Sequence, residues 1–180
     1  RLCRDWSSDV CSSDLQSSKV KVGFLLPYTG TYAQLGKAIT DAFKLHVNEN
    51  GGRLGGRAIE YVQVDSEANP AKAVDNTNRL VNLEKVDVIV GPVHSGVAAA
   101  MVRVTRESGT LTIVANAGAG AVTGALCAPN IFRTSFTNWQ PSYPMGKVLA
   151  ERGMKKAVTL TWLFLNVGNG CILINEEVLN

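Results

Sequence analysis

The sequence predicts an α/β fold in which a parallel sheet carries helices on both faces. Short apolar runs of strand length alternate with segments of helical apolar spacing, in the order β-α-β-α-β-α-β from Lys19 to Thr134. Several of those runs are apolar throughout and β-branched, as strands covered on both faces are. Each parallel connection must also cross over the sheet, and it does so right-handedly.

Val20, Val22, Phe24, Leu25 and Leu26 form the first run, ended by the turn signal Pro27-Tyr28-Thr29-Gly30. Thr31 with Gln34 three residues on makes a capping-box pattern. Leu35, Ala38, Ile39, Ala42, Phe43 and Leu45 then follow at helical spacing until Asn50-Gly51-Gly52 stops the helix. A Gly55-Gly56 turn leads into a strand over Ala58 to Val64 that ends at Asp65. Asn69 predicts an N-cap and Pro70 the first helical position of the next helix, with Ala73, Val74, Thr77, Leu80 and Val81 as its apolar stripe.

Val86 to Val90, closed by Gly91-Pro92, is the strongest buried-strand run. Ser95 then reads as the cap of a helix from about Gly96 to Glu107, ended by Gly109. Leu111 to Val114 is another short strand, and a Gly/Ala-rich loop from Asn116 to Asn130 precedes a strand near Ile131 to Thr134. After Thr134 the segment Asn138-Trp139-Gln140-Pro141 punctuates the chain. A helix near Ser142 to Arg152 follows, and Lys156 to Trp162 reads as a strand opening a second α/β unit. Leu163 to Asn180 carries neither a helix cap nor a clear crossover and falls outside the pattern.

Composition narrows the functional classes. With 46% hydrophobic and 18% charged residues and 17 glycines, the 180-residue chain has a globular composition, with length for one domain or one and a fraction. The net charge of +3 comes from scattered Lys and Arg, which argues against a nucleic-acid partner. No apolar stretch approaches the roughly 20 residues of a membrane span. Arg1 to Ser18 lacks the apolar region of a secretory leader. Within it, Asp9-Val10-Cys11-Ser12-Ser13-Asp14-Leu15 resembles a translated sequencing adapter, since gac gtg tgc tct tcc gat ct encodes that run. The segment 1–18 is therefore read as non-native, the alternative being a disordered Ser/Asp-rich tail, and both readings leave it out of the fold. Cys3 and Cys11 lie in it and Cys171 in the C-terminal tail. Cys127 stands alone in the body, with neither a disulfide framework nor a metal-ligand spacing around it.

Ligands of open parallel sheets bind beyond the C-terminal ends of the strands. Three loops qualify: Pro27 to Leu35, Gly91 to Gly96 and Ala115 to Gly120. The second brings the Ser95 hydroxyl and the amides of Gly96 and Val97 to a helix N-terminus, where a carboxylate would fit; plain N-capping is the competing role for Ser95. In Asn116-Ala117-Gly118-Ala119, glycine permits close backbone approach to a ligand, or the segment is simply a flexible connection. Tyr28 and Tyr32 are candidates for an aromatic wall, although loop tyrosines are common, and Trp139 reads as a packing residue. Gly118-x-Gly120 with Gly124 misses the dinucleotide spacing and has no acidic ribose partner. No phosphate loop or nucleophile elbow is present, and two histidines without a clustered acid leave a metal site unsupported. No catalytic residue, metal ligand or cofactor is expected.

These motifs together resemble the periplasmic binding proteins of the branched-chain amino acid transport type, the leucine-binding-protein family. The resemblance runs from Lys21-Val22-Gly23-Phe24-Leu25-Leu26 and Thr29-Gly30 through Asn50-Gly51-Gly52, Gly55-Gly56, Asp65 and Asn69-Pro70. It continues through Val88-Ile89-Val90-Gly91-Pro92, Ser95, Asn116-Ala117-Gly118-Ala119, Phe132-Arg133-Thr134-Ser135 and Asn138-Trp139-Gln140, and covers 19–162. It implies a parallel-sheet, Rossmann-like lobe of a type I periplasmic binding protein over 19–136. Residues 137–162 would be the crossing segment and the start of a second lobe, with 163–180 a tail of doubtful membership, so that the chain is an N-terminal fragment. In such proteins two lobes close on a small ligand, and the first lobe holds its carboxylate through a serine hydroxyl and backbone amides.

By that resemblance Ser95, with backbone amides such as that of Gly96, takes the carboxylate and Asn116, Ala117 and Gly118 add backbone contacts, while Tyr32 stays a ligand-binding candidate as part of the aromatic wall. Gly118 departs from the hydroxyl residue that amino-acid binders often carry there, and Ala68 and His94 stand where some members have a disulfide. The Asn-Ala-Gly-Ala and Asn-Trp-Gln segments resemble members that take aromatic or other carboxylates. The implied function is that of a monomeric, non-enzymatic solute-binding component of an ABC importer, periplasmic or exported. It would deliver a small carboxylate, whether a branched-chain or other amino acid or an aromatic acid, to membrane permease subunits. The alternative is the extracellular ligand-sensing domain of a receptor or regulator.

Overall fold

A computed structural model describes residues 19–156, Ser142 by its backbone alone, together with the backbone of two short strands at 158–160 and 172–174. The segment 1–18 and Trp162 lie outside the described residues. The elements are β1 (Val20–Leu26), α1 (Ala33–Glu49), β2 (Arg53–Leu54), β3 (Arg57–Asp65), α2 (Pro70–Asn78), β4 (Val88–Val90) and α3 (Ser95–Ser108). β5 (Leu111–Val114), β6 (Ile131–Arg133), α4 (Trp139–Glu151), β7 (Val158–Leu160) and β8 (Ile172–Ile174) follow. β7 and β8 pair antiparallel, so part of the tail that carries no signal in the sequence is strand.

The main sheet has the order β2-β3-β1-β4-β5-β6. β1 pairs parallel with both β3 and β4, and β4-β5 and β5-β6 are parallel as well. The chain therefore reverses its direction of travel across the sheet between β1 and β4, which is where open α/β sheets hold ligands. Only β2 runs antiparallel within this sheet, joined to β3 through Gly55 and Gly56, both at positive φ as a tight two-residue hairpin demands. The sequence marked this turn but not the two residues of strand before it.

Each face of the sheet buries its own set of side chains. Val22, Phe24, Leu26 and Val90 point to one side, packed by Ile39 and Phe43 of α1 and by Tyr61, and the Phe24 ring meets Phe43 edge-on at 5.4 Å. Leu25, Ile89 and Val114 point to the other, against Ala73 of α2 and Val97, Met101 and Val102 of α3. Period-2 alternation along β1 thus feeds two helical layers. On α1 the buried face is Gly36, Thr40 and Val47, while Leu35 and Leu45 of the expected stripe are 40% and 59% exposed. Thr40 tolerates burial because its hydroxyl donates to Gly36 O at 3.0 Å and also bonds the Tyr28 hydroxyl at 2.8 Å.

Local signals hold in several places. Asn69 Oδ1 accepts the Ala71 amide at 2.9 Å with Pro70 at the first helical position, and Gly109 closes α3 at φ 74. α2 continues as a π-helical turn over Arg79–Leu83, keeping Leu80 buried. The Thr31 capping box does not form. Ala33 N bonds Gly30 O at 3.2 Å, which places Thr31 inside a turn, and α1 begins after Tyr32 without a side-chain cap. α4 starts at Trp139, earlier than expected, with Pro141 in its first turn and Pro144 inside it.

Candidate functional site

Two of the three candidate loops meet beyond the ends of β4 and β5, and a third chain segment joins them. Ala117 N donates to Pro92 O at 3.1 Å, tying the loop after β5 to the one after β4. Asn138 N donates to Gly118 O at 2.8 Å, and Asn138 Nδ2 lies 3.4 Å from Ser95 Oγ. Ser95, Gly118 and Asn138, distant in sequence, thus meet at one place.

Ser95 is the first residue of α3 and not its cap. That place belongs to His94, in an extended conformation, whose Nδ1 accepts the Gly96 amide at 3.1 Å. The Gly96 amide is thereby committed, contrary to the reading that left it open to a ligand. Ala98 N is the first to enter the helical ladder, on His94 O at 3.0 Å. The amides of Ser95 and Val97 are then the ones in this turn that the helix itself does not use. Freed from capping, the half-buried Ser95 hydroxyl faces the Asn138 carboxamide. Burial lowers the pKa of His94, which keeps the imidazole neutral and able to accept the amide.

The loop from Asn116 to Gly118 is held rather than slack. Ala117 and Ala119 are buried, Asn116 is half-buried, and a Cβ added at Gly118 would lie 2.0 Å from Asn138 Oδ1. The Arg133 guanidinium grips the next stretch, donating to Ala119 O at 2.8 Å and to Thr123 Oγ1. Burial draws the Arg133 pKa down, although a guanidinium stays charged.

The first loop contributes differently. Tyr28 turns inward, its hydroxyl on Thr40. Tyr32 is 38% exposed at the start of α1, and its carbonyl accepts the amides of Leu35 and Gly36. Among the described residues its ring makes no hydrogen bond or ring contact with the other candidates. Trp139 is not a packing residue. It is 51% exposed and stacks on Tyr143 at 4.5 Å with the rings inclined by 30°, directly after Asn138. Among the described residues no group of His, Cys, Asp or Glu is placed to hold a metal.

His94, Arg133 and Asn138 are the residues that reading the sequence did not single out for the site. Asn138 and Arg133 did lie in the segments that carried the resemblance, which was the available signal.

A family model described as periplasmic binding protein matches residues 19–163. The chain is similar to a solved solute-binding protein of an ABC transporter from R. palustris, in complex with benzoate. The two are 53% identical with a TM-score of 0.78, over 83% of this chain and 42% of that one. It is 28% identical to the Leu/Ile/Val-binding protein homolog 6 of Brucella abortus, over 84% of this chain and 38% of that protein. It is 31% identical to the chemotactic signal transduction system substrate-binding protein BasB of Halobacterium salinarum, over 86% of this chain and 39% of that protein. The chain thus spans well under half the length of each of these proteins.

Proposed function

Because the chain belongs to the periplasmic binding protein family, we propose that it is the first lobe of a solute-binding component of an ABC importer. It takes one end of a small carboxylate while a second lobe closes over the other. The observation that carries this reading is the meeting of the Ser95 hydroxyl, the α3 N-terminus and the Gly118 backbone beyond the ends of β4 and β5. A hydroxyl donor, helix-end amides that the helix itself does not use and a favourable dipole suit an anion. On this reading, which rests on the family, the protein binds without catalysis, works in the periplasm or another exported location, and hands its ligand to membrane permease subunits.

Within small carboxylates the ligand class we favour is an aromatic acid. The similarity to a benzoate-bound chain at 53% identity supports it more than the 28% to a Leu/Ile/Val-binding homologue supports an aliphatic amino acid. Calorimetry on the full-length protein with benzoate, 4-hydroxybenzoate and leucine tests both levels. Binding of leucine alone would overturn the aromatic assignment, and binding of none of the three would overturn the carboxylate.

The similarity to BasB favours a second reading, in which the same clamp reports a ligand to a signalling partner. Loss of labelled-ligand uptake in a deletion strain supports transport; intact uptake with lost chemotaxis supports sensing.

A further inference from the structure

We infer that Asn138 is the specificity-determining residue of this half-site, setting both the direction in which Ser95 donates and the space beside Gly118. This rests on the carboxylate-binding reading above and names the residue that would sharpen it.

Three contacts carry the inference. Asn138 N donates to Gly118 O at 2.8 Å, which fixes the residue's backbone to the ligand loop. Asn138 Nδ2 reaches Ser95 Oγ at 3.4 Å across 43 positions of sequence. A hydroxyl oxygen that accepts from a carboxamide turns its own hydrogen away from it, so Ser95 is left to donate, as a carboxylate oxygen requires. Finally, the place a Cβ at position 118 would occupy lies 2.0 Å from Asn138 Oδ1 and 3.0 Å from Asn138 N. Position 118 is glycine because Asn138 fills the space, and a hydroxyl side chain there would have to displace it. The half-site then has the Ser95 hydroxyl left to donate to an anion, while position 118 supplies no hydroxyl that could also serve a neighbouring ammonium. That pattern suits an acid without an α-amino group.

A double-mutant cycle tests the role. In the full-length protein, Ser95→Ala and Asn138→Ala are made singly and together, and binding of benzoate, 4-hydroxybenzoate and leucine is measured by calorimetry. Each single change is expected to weaken the aromatic acid by about tenfold, and the double variant to bind within about twofold of Ser95→Ala alone, because residues acting through one another do not add. Losses that multiply would overturn the orienting role. Gly118→Ser is expected to weaken binding as well, and Gly118→Ser combined with Asn138→Gly to recover binding and move preference towards leucine. Wild-type affinity in Gly118→Ser would overturn the steric role. Thermal melts of every variant identify a loss that comes from unfolding. If the wild type binds none of the three ligands, the carboxylate reading fails and this inference fails with it. If the wild type binds and the cycle is additive, this inference alone fails.

Discussion

The Nδ1 atom of His94 accepts the Gly96 amide at 3.1 Å, so a neutral imidazole closes the first turn of the helix that carries Ser95. Burial lowers the His94 pKa in the folded protein, which therefore binds that proton less readily than the unfolded chain does. The stability gained from a neutral His94 is complete above about pH 6.5 and is lost as pH falls below it. Thermal midpoints are expected to drop as pH falls below about 6.5, and less so in His94→Asn, whose side chain caps without titrating. Equal pH slopes in the two proteins would exclude His94 as the source.

A second loss is expected further into acid. Burial alone would raise the Asp65 pKa, but the amides of Tyr28 and Glu67 and the Thr29 hydroxyl outweigh it, and the net shift is downward. Its contribution is present above the ordinary carboxylate range and disappears as pH falls through it. Asp65→Asn is expected to flatten the melting profile below about pH 4 while leaving the His94 window intact.

Stability and binding separate at adjacent positions. His94→Ala removes the cap and is expected to cost about 1 kcal/mol of stability, whereas Ser95→Ala stays within about 0.5 kcal/mol. In the full-length protein Ser95→Ala is expected to weaken carboxylate binding by about 1 to 3 kcal/mol, through the loss of a charge-assisted hydrogen bond. Chemical denaturation together with calorimetry reads both effects, and the opposite assignment would restore Ser95 as the cap.

Arg133→Lys keeps the charge but cannot reproduce a fork that reaches both Ala119 O and Thr123 Oγ1. Faster hydrogen exchange at residues 117–123 and weaker ligand binding are the expected results, with the β1 and β4 amides unchanged. Unaltered exchange in that segment would show that the loop is held by other means.

Gly36 lies so close to the first loop that an added Cβ would stand 1.9 Å from Pro27 O. Gly36→Ala must move α1 or the backbone after β1 and is expected to cost about 1 to 3 kcal/mol. A melting temperature equal to wild type would show that the helix can slide without loss.

The alternation of elements was legible because two burial patterns with different periods are written into the side chains themselves. Val22, Phe24 and Leu26 against Leu25 already describe a strand covered on both faces, and Asn69-Pro70 and Gly109 carry their roles within one turn of chain. What failed were choices between neighbours. Ser95 is the better cap by type, yet His94 takes the position because its extended backbone turns the ring back onto the Gly96 amide. Thr31 and Gln34 spell a capping box, but a turn closed on Gly30 consumes Thr31 first. On α1 the expected stripe named apolar residues, whereas the face that packs closest is small, with Gly36 and Thr40 at its centre. Asn138 was beyond reach because its contacts with Gly118 and Ser95 span 20 and 43 positions, and nothing local announces such a meeting.

Bonds that hold the Asn116 to Ala119 loop come from Pro92, Arg133 and Asn138, all supplied by this chain. Freezing a backbone residue takes about 1 to 2 kcal/mol, and here folding has already met that demand. On the proposed reading, a carboxylate at Gly118 would meet a preorganised cradle, and little of its affinity would be diverted into ordering the loop. The free energy so spared would then be available for closing a second lobe over the ligand, the step proposed above.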